Sequence, residues 1–363
     1  MCRTPPLIAG GGPAGSAAAI ALAQAGVRAT LLEKGNGNGD AICGGFLSWA
    51  TLDRLAQLGV DGPTLCGHGV DHLALFVIGR EHILRLPQTA MGLSRKQLDA
   101  VLLAHAQAQG ATIRRDVTIR AAEGRALILA NGERLACDTL FLATGKHDLR
   151  GLARPKDASG PDPELGLRFR LPPSPERLRL VHDRIELHLF DRGYLGLVLQ
   201  EDGSANACLA VRKSRLARAN GNPATLIAHI ADASPALADR LAGFDAAVPF
   251  DAIGHVPYGW RARTSEHGIF RLGDQAAVIP SLAGEGIGIA ISSADMAVRH
   301  WLDRGPEGAA EYQRRFAHVA RRPLAIARLL KDLAGCPALA ALPAALIASV
   351  PGAAALMARL TRI

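Results

Sequence analysis

The sequence lacks the patterns that accompany metal-ion, dithiol and hydrolytic chemistry. Its six cysteines are scattered without a C-x-x-C pair, which argues against a zinc ribbon or a dithiol centre. The sequence contains no residue spacing typical of metal ligands and no serine-hydrolase motif, so we expect no metal in the site. No aromatic pattern suited to base stacking accompanies the net charge of +8, which argues against nucleic acid as a partner.

Long hydrophobic runs are absent as well. No apolar segment reaches the roughly 18 to 20 residues that a membrane-spanning helix requires, and no secretory signal pattern opens the chain. We therefore expect a cytoplasmic protein. A length of 363 residues, of which 49% are hydrophobic and only 20% charged, predicts a globular protein with a large core and two structural units.

A glycine-rich turn near the N-terminus is the first strong signal. Residues 5–34 predict a strand, a turn, an alanine-rich helix and a second strand. Within this βαβ unit, Gly10, Gly12 and Gly15 satisfy G-x-G-x-x-G, and Glu33 ends the second strand. Such a unit binds a dinucleotide, with the pyrophosphate at the helix N-terminus and the acid on the ribose hydroxyls. The motif alone leaves NAD and FAD open.

A second glycine-rich segment occupies residues 273–290. It predicts a strand that ends in an acid, Asp274, followed by a loop of small residues and a helix. The acid can bind sugar-like hydroxyls, and the helix start carries partial positive charge that stabilises an anion. Because a reduced isoalloxazine ring is anionic at N1 and O2, this arrangement fits a flavin better than a nicotinamide. FAD therefore accounts for both segments, with Gly286 and Ile287 along the pyrimidine edge of its ring.

Three motifs together resemble those of flavoproteins with the p-hydroxybenzoate hydroxylase fold, and within it the geranylgeranyl reductase-like branch. They are C-G-G at residues 43–45, R-x-x-L-D at residues 95–99, and a late G-D-x-A with G-E-G-I at residues 273–287. The resemblance covers residues 5–300. It implies an α/β protein, α+β overall, with a Rossmann-like FAD-binding domain, an inserted, mainly antiparallel β substrate domain and C-terminal helices.

The motifs and the resemblance together predict the residues that contact FAD. They are Gly10, Gly12, Ala14, Gly15, Glu33, Lys34, Cys43, Gly44, Gly45, Arg95, Val117, Thr144, Gly145, Asp274, Gly284, Gly286 and Ile287.

Three residues are candidates for catalysis, and the first two have a structural alternative. Cys43 would lie near the flavin ring as a proton donor, or fill space as a buried thiol. His147 could donate a proton or hold a phosphate, or be a solvated loop histidine. Tyr194 lies in a strand that resembles the one walling the substrate cavity of the reductase branch. Three residues that precede the flavin strand either shape the same cavity or are ordinary structural residues: His255, Tyr258 and Trp260.

Two departures from the related families bear on function. Ala143, Thr144 and Gly145 replace the Asp-Gly that aromatic hydroxylases of this fold carry, which leaves NADH or NADPH open as the electron donor. The W-x-W-x-I-P motif of flavin halogenases is missing, so halogenation is not expected.

We predict an FAD-dependent oxidoreductase that acts on a hydrophobic small molecule. The main hypothesis is hydride reduction of a C=C bond in an isoprenoid- or lipid-like substrate. The first alternative is a flavin monooxygenase that hydroxylates an aromatic or polyketide-like substrate, and the second is a non-catalytic flavin electron carrier or lipid-binding protein. In all three cases most of the chemistry belongs to the cofactor.

Composition and motif positions also predict the domain division. The FAD-binding domain comprises residues 1–65, 90–155 and 255–305, the substrate domain residues 66–89 and 156–254, and a C-terminal helical region residues 306–363. Within the last region, residues 335–360 are apolar, are interrupted by three prolines and follow a basic helix. They are expected to cap a hydrophobic cavity, to make peripheral contact with the inner face of the membrane, or simply to pack as helices against the core. The sequence leaves that choice and the oligomeric state open.

Overall fold

A computed structural model describes residues 4–37, 39–155, 158, 161–350 and 352–363. Cys2 and Pro351 lie outside the described residues, as do residues 156, 157, 159 and 160, where the predicted domain boundary falls.

The described chain contains sixteen strands and twelve α-helices. The strands are β1 (Leu7–Ala9), β2 (Thr30–Leu32), β3 (Phe46–Leu47), β4 (His68–Val77), β5 (Arg80–Gly92), β6 (Thr112–Arg114), β7 (Ile119–Glu123), β8 (Ala126–Leu129), β9 (Arg134–Ala136), β10 (Leu140–Leu142), β11 (Glu164–Leu171), β12 (Arg184–Phe190), β13 (Gly193–Leu199), β14 (Ala205–Arg212), β15 (Asp251–Val256) and β16 (Ile269–Arg271). The helices are α1 (Pro13–Gln24), α2 (Trp49–Gln57), α3 (Gly62–Leu65), α4 (Arg95–Ala108), α5 (Pro175–Val181), α6 (Lys213–Ala217), α7 (Pro223–Asp232), α8 (Pro235–Arg240), α9 (Gly286–Arg304), α10 (Gly308–Ala334), α11 (Pro337–Ser349) and α12 (Ala353–Leu360).

Five short strands form a parallel sheet in the order β16-β10-β1-β2-β6. Because side chains alternate between the faces of a strand, each strand serves two cores. Ile8 and Phe141 pack in the core with helices α1, α4 and α9, whereas Ala9 and Leu142 pack in the core with the small antiparallel sheet β7-β8-β9. The parallel sheet is thus covered on both faces, as parallel sheets require.

The predicted N-terminal βαβ unit is confirmed. β1 and β2 are parallel neighbours, and α1 begins with a proline, Pro13, at its first position. The helix ends at Gln24, and Gly26 adopts a φ of +78°, the left-handed conformation that commonly follows a helix C-terminus. The dinucleotide turn therefore lies at the carboxyl end of β1, between the strand and the helix start.

Eight strands form the second large sheet, in the order β15-β11-β14-β13-β12-β4-β5-β3. All neighbouring pairs are antiparallel except β12 and β4. β13 and β14 form a hairpin across the E-D-G-S turn at residues 201–204, because they pair from Leu199 and Ala205 onward. One face of this sheet packs on α7 and α8 through residues such as Leu197 and Ile227.

The sequence pattern of residues 111–119 would suit a single strand, but these residues do not form one. The segment divides into β6, which joins the parallel sheet, and β7, which joins the three-stranded sheet. Asp116 lies between them with a φ of +57°, a left-handed conformation that ends an extended strand. The apolar and polar pattern of residues 111–119 therefore does not indicate the turn at Asp116.

The C-terminal helices complete the fold, which agrees with the predicted α/β class and its mainly antiparallel second sheet. α10 packs on α9, and Tyr312 on α10 donates a hydrogen bond to the carbonyl oxygen of Arg271 at 2.7 Å. α11 and α12 then turn back across β4 and β5. The boundaries assigned above to the domains stay a prediction.

Candidate functional site

The glycine turn after β1 is held by two close backbone approaches. Gly10 adopts a φ of +104°, and a Cβ at this position would lie 2.5 Å from the carbonyl oxygen of Ala143. A Cβ at Gly15 would lie 1.9 Å from the carbonyl oxygen of Gly10. Gly12 is the N-cap of α1, and the first N–H groups of a helix have no intrahelical acceptor. The turn therefore offers backbone donors to an anionic ligand.

Glu33 directly follows β2 and is fixed by backbone donors. Its Oε2 accepts a hydrogen bond from Gly11 N at 2.5 Å, and its Oε1 accepts one from Gly35 N at 2.7 Å. These bonds orient the carboxylate at the edge of the glycine turn, and Lys34 lies beside it on the same cavity wall. The position suits an acid that accepts hydrogen bonds from ribose hydroxyls.

Arg95 supplies a fixed positive charge beside the glycine turn. It opens α4 and forms a two-point ion pair with Asp99, with Nε–Oδ1 at 2.9 Å and Nη2–Oδ2 at 2.8 Å. Burial would lower the pKa of Arg95, but the charge and hydrogen bonds of Asp99 outweigh it, and the pKa is raised. A Cβ at Gly12 would lie only 3.0 Å from Nη2 of Arg95. The guanidinium therefore faces the backbone donors that an anion would use.

Asp274 lies where the sequence predicted it, in a short turn directly after β16. Its Oδ2 is 3.2 Å from Lys146 Nζ, and the Asp274 carboxylate raises the pKa of Lys146 in spite of burial. Gln275 Nε2 donates hydrogen bonds to the carbonyl oxygens of Gly145 at 2.9 Å and His147 at 3.0 Å. These hydrogen bonds hold the segment after β10 and the segment after β16 together, and both segments line the same cavity.

The start of α9 lies on the same cavity. Gly284 adopts a φ of +65°, Glu285 is the N-cap, and α9 begins at Gly286. A Cβ at Gly286 would meet no described atom within 4 Å, so the helix start faces open space. Gly284, Gly286 and Ile287 all line the cavity. The helix start brings partial positive charge to that space.

One continuous cavity connects these parts. Its volume is about 1060 Å³, just above the ~300 to 1,000 Å³ of most small-molecule pockets. The two glycine-rich segments line one region, and apolar side chains line the other. All of the predicted cofactor contacts line the cavity except Gly15, which packs against Gly10 instead. Gly15 therefore serves the close packing of helix and turn, the function that its position in the motif predicts.

No contact in the described chain joins the three candidate catalytic residues. Cys43 is half-buried on the cavity wall, and its carbonyl oxygen accepts a hydrogen bond from Asn206 Nδ2 at 3.0 Å. Tyr194 is buried on β13. His147 is exposed in the loop after β10, where partial burial and the charges of Lys34 and Lys146 lower its pKa. This environment keeps the imidazole neutral at neutral pH.

Tyr194 belongs to a hydrogen-bonded cluster that the sequence did not reveal. Ser281 Oγ lies 2.5 Å from Tyr194 OH and 3.0 Å from Tyr258 OH, and all three residues line the cavity. Burial raises the pKa of both phenols, that of Tyr258 to about 12, so both keep their protons at neutral pH. Ser281 lies in the loop before Gly284, so the cluster connects the eight-stranded sheet with the start of α9.

The C-terminal segment also reaches the start of α9. Arg362 Nε donates a hydrogen bond to Glu285 Oε1 at 2.7 Å, and the guanidinium carbon of Arg362 lies 3.8 Å from the centroid of the Trp49 ring. Burial raises the pKa of Glu285, and the charge of Arg362 opposes that rise. Sequence reasoning missed this contact because 77 residues separate the partners and no local pattern relates them.

The N-terminal part of the chain matches a known family. Residues 3–126 match the family described as FAD binding domain. FAD as the predicted cofactor and the predicted enzyme class, an FAD-dependent oxidoreductase, are therefore confirmed, whereas NADH or NADPH as the electron donor stays a prediction. No curated protein sequence matches the chain.

Solved flavoprotein structures share the fold over nearly the whole chain. Pseudomonas aeruginosa PqsL, in complex with 2-aminobenzoylacetate, is 15% identical at a TM-score of 0.71, and the match covers 92% of this chain and 97% of PqsL. The flavin-dependent brominase Bmp2 is 13% identical at a TM-score of 0.76, covering 98% and 92%. A flavoprotein/dehydrogenase from Cytophaga hutchinsonii is 15% identical at 0.74, covering 93% and 87%.

At these identities the similarity establishes the fold and no more. The p-hydroxybenzoate hydroxylase fold is thus confirmed, whereas the geranylgeranyl reductase-like branch stays a prediction.

The residues of the cavity fit FAD along its length. The glycine turn and Arg95 would hold the pyrophosphate, Glu33 the adenosine ribose, and Asp274 the ribityl chain. Gly44 and Gly286 leave open space where side chains would otherwise project, since a Cβ at either position meets no described atom within 4 Å. The cavity therefore admits a planar ring between the loop at residues 43–45 and the start of α9.

Proposed function

We propose that this protein is an FAD-dependent monooxygenase that hydroxylates a hydrophobic small molecule. One observation carries the proposal. The cavity that holds the FAD-binding residues continues, without a break, from the start of α9 into an apolar chamber. A substrate in that chamber would lie next to the ring of FAD, which is the position that chemistry on the ring requires.

The chamber is apolar on two sides. On one side, the eight-stranded sheet contributes Leu73, Leu75, Leu187 and Leu189. On the other side, α11 and α12 contribute Ala340, Ala344, Ile347 and Met357. Such walls exclude water and favour a ligand with a large apolar surface.

The Tyr194–Ser281–Tyr258 cluster supplies the polar contact in this chamber. Burial keeps both phenols protonated, and Ser281 has one hydroxyl hydrogen to give. When Ser281 donates to one phenol and accepts from the other, the first phenol can donate a hydrogen bond to an oxygen or nitrogen atom of a substrate. Ser281 ties both tyrosines to the loop that leads into α9. A substrate held by the cluster would therefore be oriented relative to the ring rather than merely enclosed.

Bound, reduced FAD supplies two electrons, so that substrate RH, O₂ and two protons yield ROH and water. The protein positions the ring through the start of α9, excludes water through the apolar walls and orients the substrate through Tyr194 and Tyr258.

Reduction of a C=C bond, the main hypothesis from the sequence, uses the same chamber and rests on the G-E-G-I motif at residues 284–287. Hydroxylation is preferred because solved structures with this fold include PqsL, described as a probable FAD-dependent monooxygenase, and the peptidyl tryptophan dihydroxylase QhpG. The Asp-Gly of aromatic hydroxylases is replaced here by Ala143-Thr144-Gly145, which leaves the electron donor open. The assay therefore includes both NADH and NADPH.

An isotope experiment distinguishes the candidate functions. The FAD-loaded protein is reduced by light, or by NADH or NADPH, and mixed with a panel of aromatic, polyketide-like and isoprenoid compounds under ¹⁸O₂ or under argon. The proposal predicts a product that contains one ¹⁸O atom and requires O₂. A product with two added hydrogens, formed under argon, would establish the reductase instead. Turnover of no compound, with only peroxide released, would favour an electron carrier.

We expect Tyr194→Phe to reduce kcat/KM about tenfold while leaving FAD content unchanged, because it removes one hydrogen bond to the substrate and no cofactor contact. The measurement is steady-state kinetics beside the absorbance ratio of flavin to protein. Tyr312→Phe is the matched control. It also removes a buried phenol hydroxyl, but one that bonds Arg271 outside the cavity. The control should lower the thermal midpoint without changing kcat/KM, and equal kinetic effects of both changes would contradict the role of Tyr194.

A further inference from the structure

α11 is apolar on both of its sides. Ala340 and Ala344 are buried on the inner side, above the apolar chamber. On the outer side, Leu339, Leu342 and Leu346 are 64%, 70% and 58% exposed. A helix that is hydrophobic all round is normally covered on every side by protein or by lipid. The outer side of α11 has no such cover within the described chain.

The exposed apolar surface continues along the chain. Leu339, Leu342 and Leu346 are spaced three and four residues apart, which places them on one face of the helix, and Val350, directly after the helix end, is 56% exposed. In α12, Leu356 is 57% exposed while its neighbour Met357 lines the cavity. Residues 333–358 contain no charged side chain. We call the exposed set the roof face, and it consists of Leu339, Leu342, Leu346, Val350 and Leu356.

Basic residues border the roof face. Arg359 is exposed one turn beyond Leu356, and Arg328 is 67% exposed in the last turns of α10. Arg85 is exposed on β5 and lines a surface hollow with Gly352, at the start of α12. Asp332, which lies 3.9 Å from Arg328, offsets part of this charge.

The outer side of α10 adds further positive charge. Arg314, Arg315, Arg321 and Arg322 are exposed there, and none of them forms an ion pair within the described chain.

We propose that the roof face docks onto the surface of an anionic lipid bilayer. Apolar side chains would enter the interface, and the bordering arginines would contact anionic headgroups, which is the pairing that interfacial helices use. A second copy of the chain fits this face less well, because a twofold contact would bring the same arginines of both copies together. A bilayer at this face would lie over the roof of the apolar chamber. The proposal is independent of the reaction that the chamber supports.

The docking is peripheral. None of the described helices is long and apolar enough by itself to cross a bilayer. Only taken together do the stretch Gly286–Ala334 and the helix Pro337–Ser349 have the length and hydropathy of a membrane span. The two are bent by 117° relative to each other. The inner sides of α11 and α12 moreover line the cavity and are not available to a bilayer.

Vesicle flotation tests the proposal on the full-length, FAD-loaded protein. The protein should float with vesicles of phosphatidylcholine that contain phosphatidylglycerol, and less with phosphatidylcholine alone. The double change Leu342→Gln and Leu346→Gln should weaken binding to the anionic vesicles about tenfold or more, because it removes two apolar anchors. The double change Arg328→Gln and Arg359→Gln should remove most of the preference for anionic lipid.

The matched control uses an exposed leucine and an exposed arginine on the opposite side of the eight-stranded sheet. Leu178 is 47% exposed on α5, next to the exposed Arg179. Leu178→Gln with Arg179→Gln should leave vesicle binding unchanged. FAD content and the thermal midpoint of each variant confirm folding. Equal binding by the leucine variant and the wild type would overturn the proposal. So would a dimer, seen by size-exclusion chromatography without vesicles, that the leucine variant abolishes.

Discussion

Replacement of Gly15 by alanine is expected to abolish FAD binding, or to weaken it by at least about a hundredfold. The added Cβ would lie 1.9 Å from the carbonyl oxygen of Gly10, a distance that requires the helix and the turn to separate. Overpacking of this kind usually costs about 1 to 3 kcal/mol and sometimes more. Here the displaced groups are the backbone donors of the pyrophosphate site, so binding suffers in addition to stability. Fluorescence titration with FAD measures the loss directly.

Gly62→Ala provides the matched control for this prediction. Gly62 lies in the first turn of α3, and its added Cβ would meet only the methyl carbon of Met91, at 3.9 Å. FAD affinity should be unchanged in this variant. If Gly15→Ala also bound FAD normally, the helix start would not hold the pyrophosphate, and the assignment of the N-terminal turn would be wrong.

Asp274→Ala is expected to yield a protein that purifies with little or no flavin, corresponding to about a tenfold to hundredfold loss of affinity. The change removes a carboxylate that we assign to the ribityl hydroxyls, and a hydrogen bond to a charged group contributes about 1.5 to 3 kcal/mol. It also leaves the Lys146 ammonium, now 3.2 Å from the carboxylate, without that partner in a half-buried position. The visible absorbance of the purified variant, before and after incubation with FAD, gives the result.

Asp295→Ala is the control, because Asp295 is also a paired carboxylate but lies in the middle of α9, where it pairs with Arg299 on the helix surface, outside the cavity. It should retain the flavin. A yellow Asp274→Ala protein would show that the flavin does not lie beside β16, even if the glycine turn holds the adenosine half.

Local signals in the sequence predicted a large part of the site. The spacing of Gly10, Gly12 and Gly15 reflects a turn in which side chains do not fit, and this constraint acts within a few residues. Strand periodicity and the glycine after α1 are local for the same reason. The location of Asp274 in the site could also be predicted, because it follows a buried strand and parallel strands present their carboxyl ends on one edge of a sheet.

The contacts that shape the substrate chamber could not be predicted from local signals in the sequence. Tyr194 and Ser281 are separated by 87 residues, and Arg362 and Glu285 by 77, and no periodicity relates such partners. They meet because the eight-stranded sheet, the loop before α9 and the C-terminal helices pack around one cavity. The division of residues 111–119 between two sheets belongs to the same class, since pairing partners far along the chain decide it.

The sequence by itself determined the cofactor, the βαβ unit and the two glycine-rich segments, because each depends on steric and hydrogen-bonding demands within a short stretch. Only the tertiary structure decided that the inner sides of α11 and α12 roof the cavity while their outer leucines stay exposed. An alanine- and leucine-rich helix carries no polar stripe to mark its buried side, so packing alone determines which side faces the core.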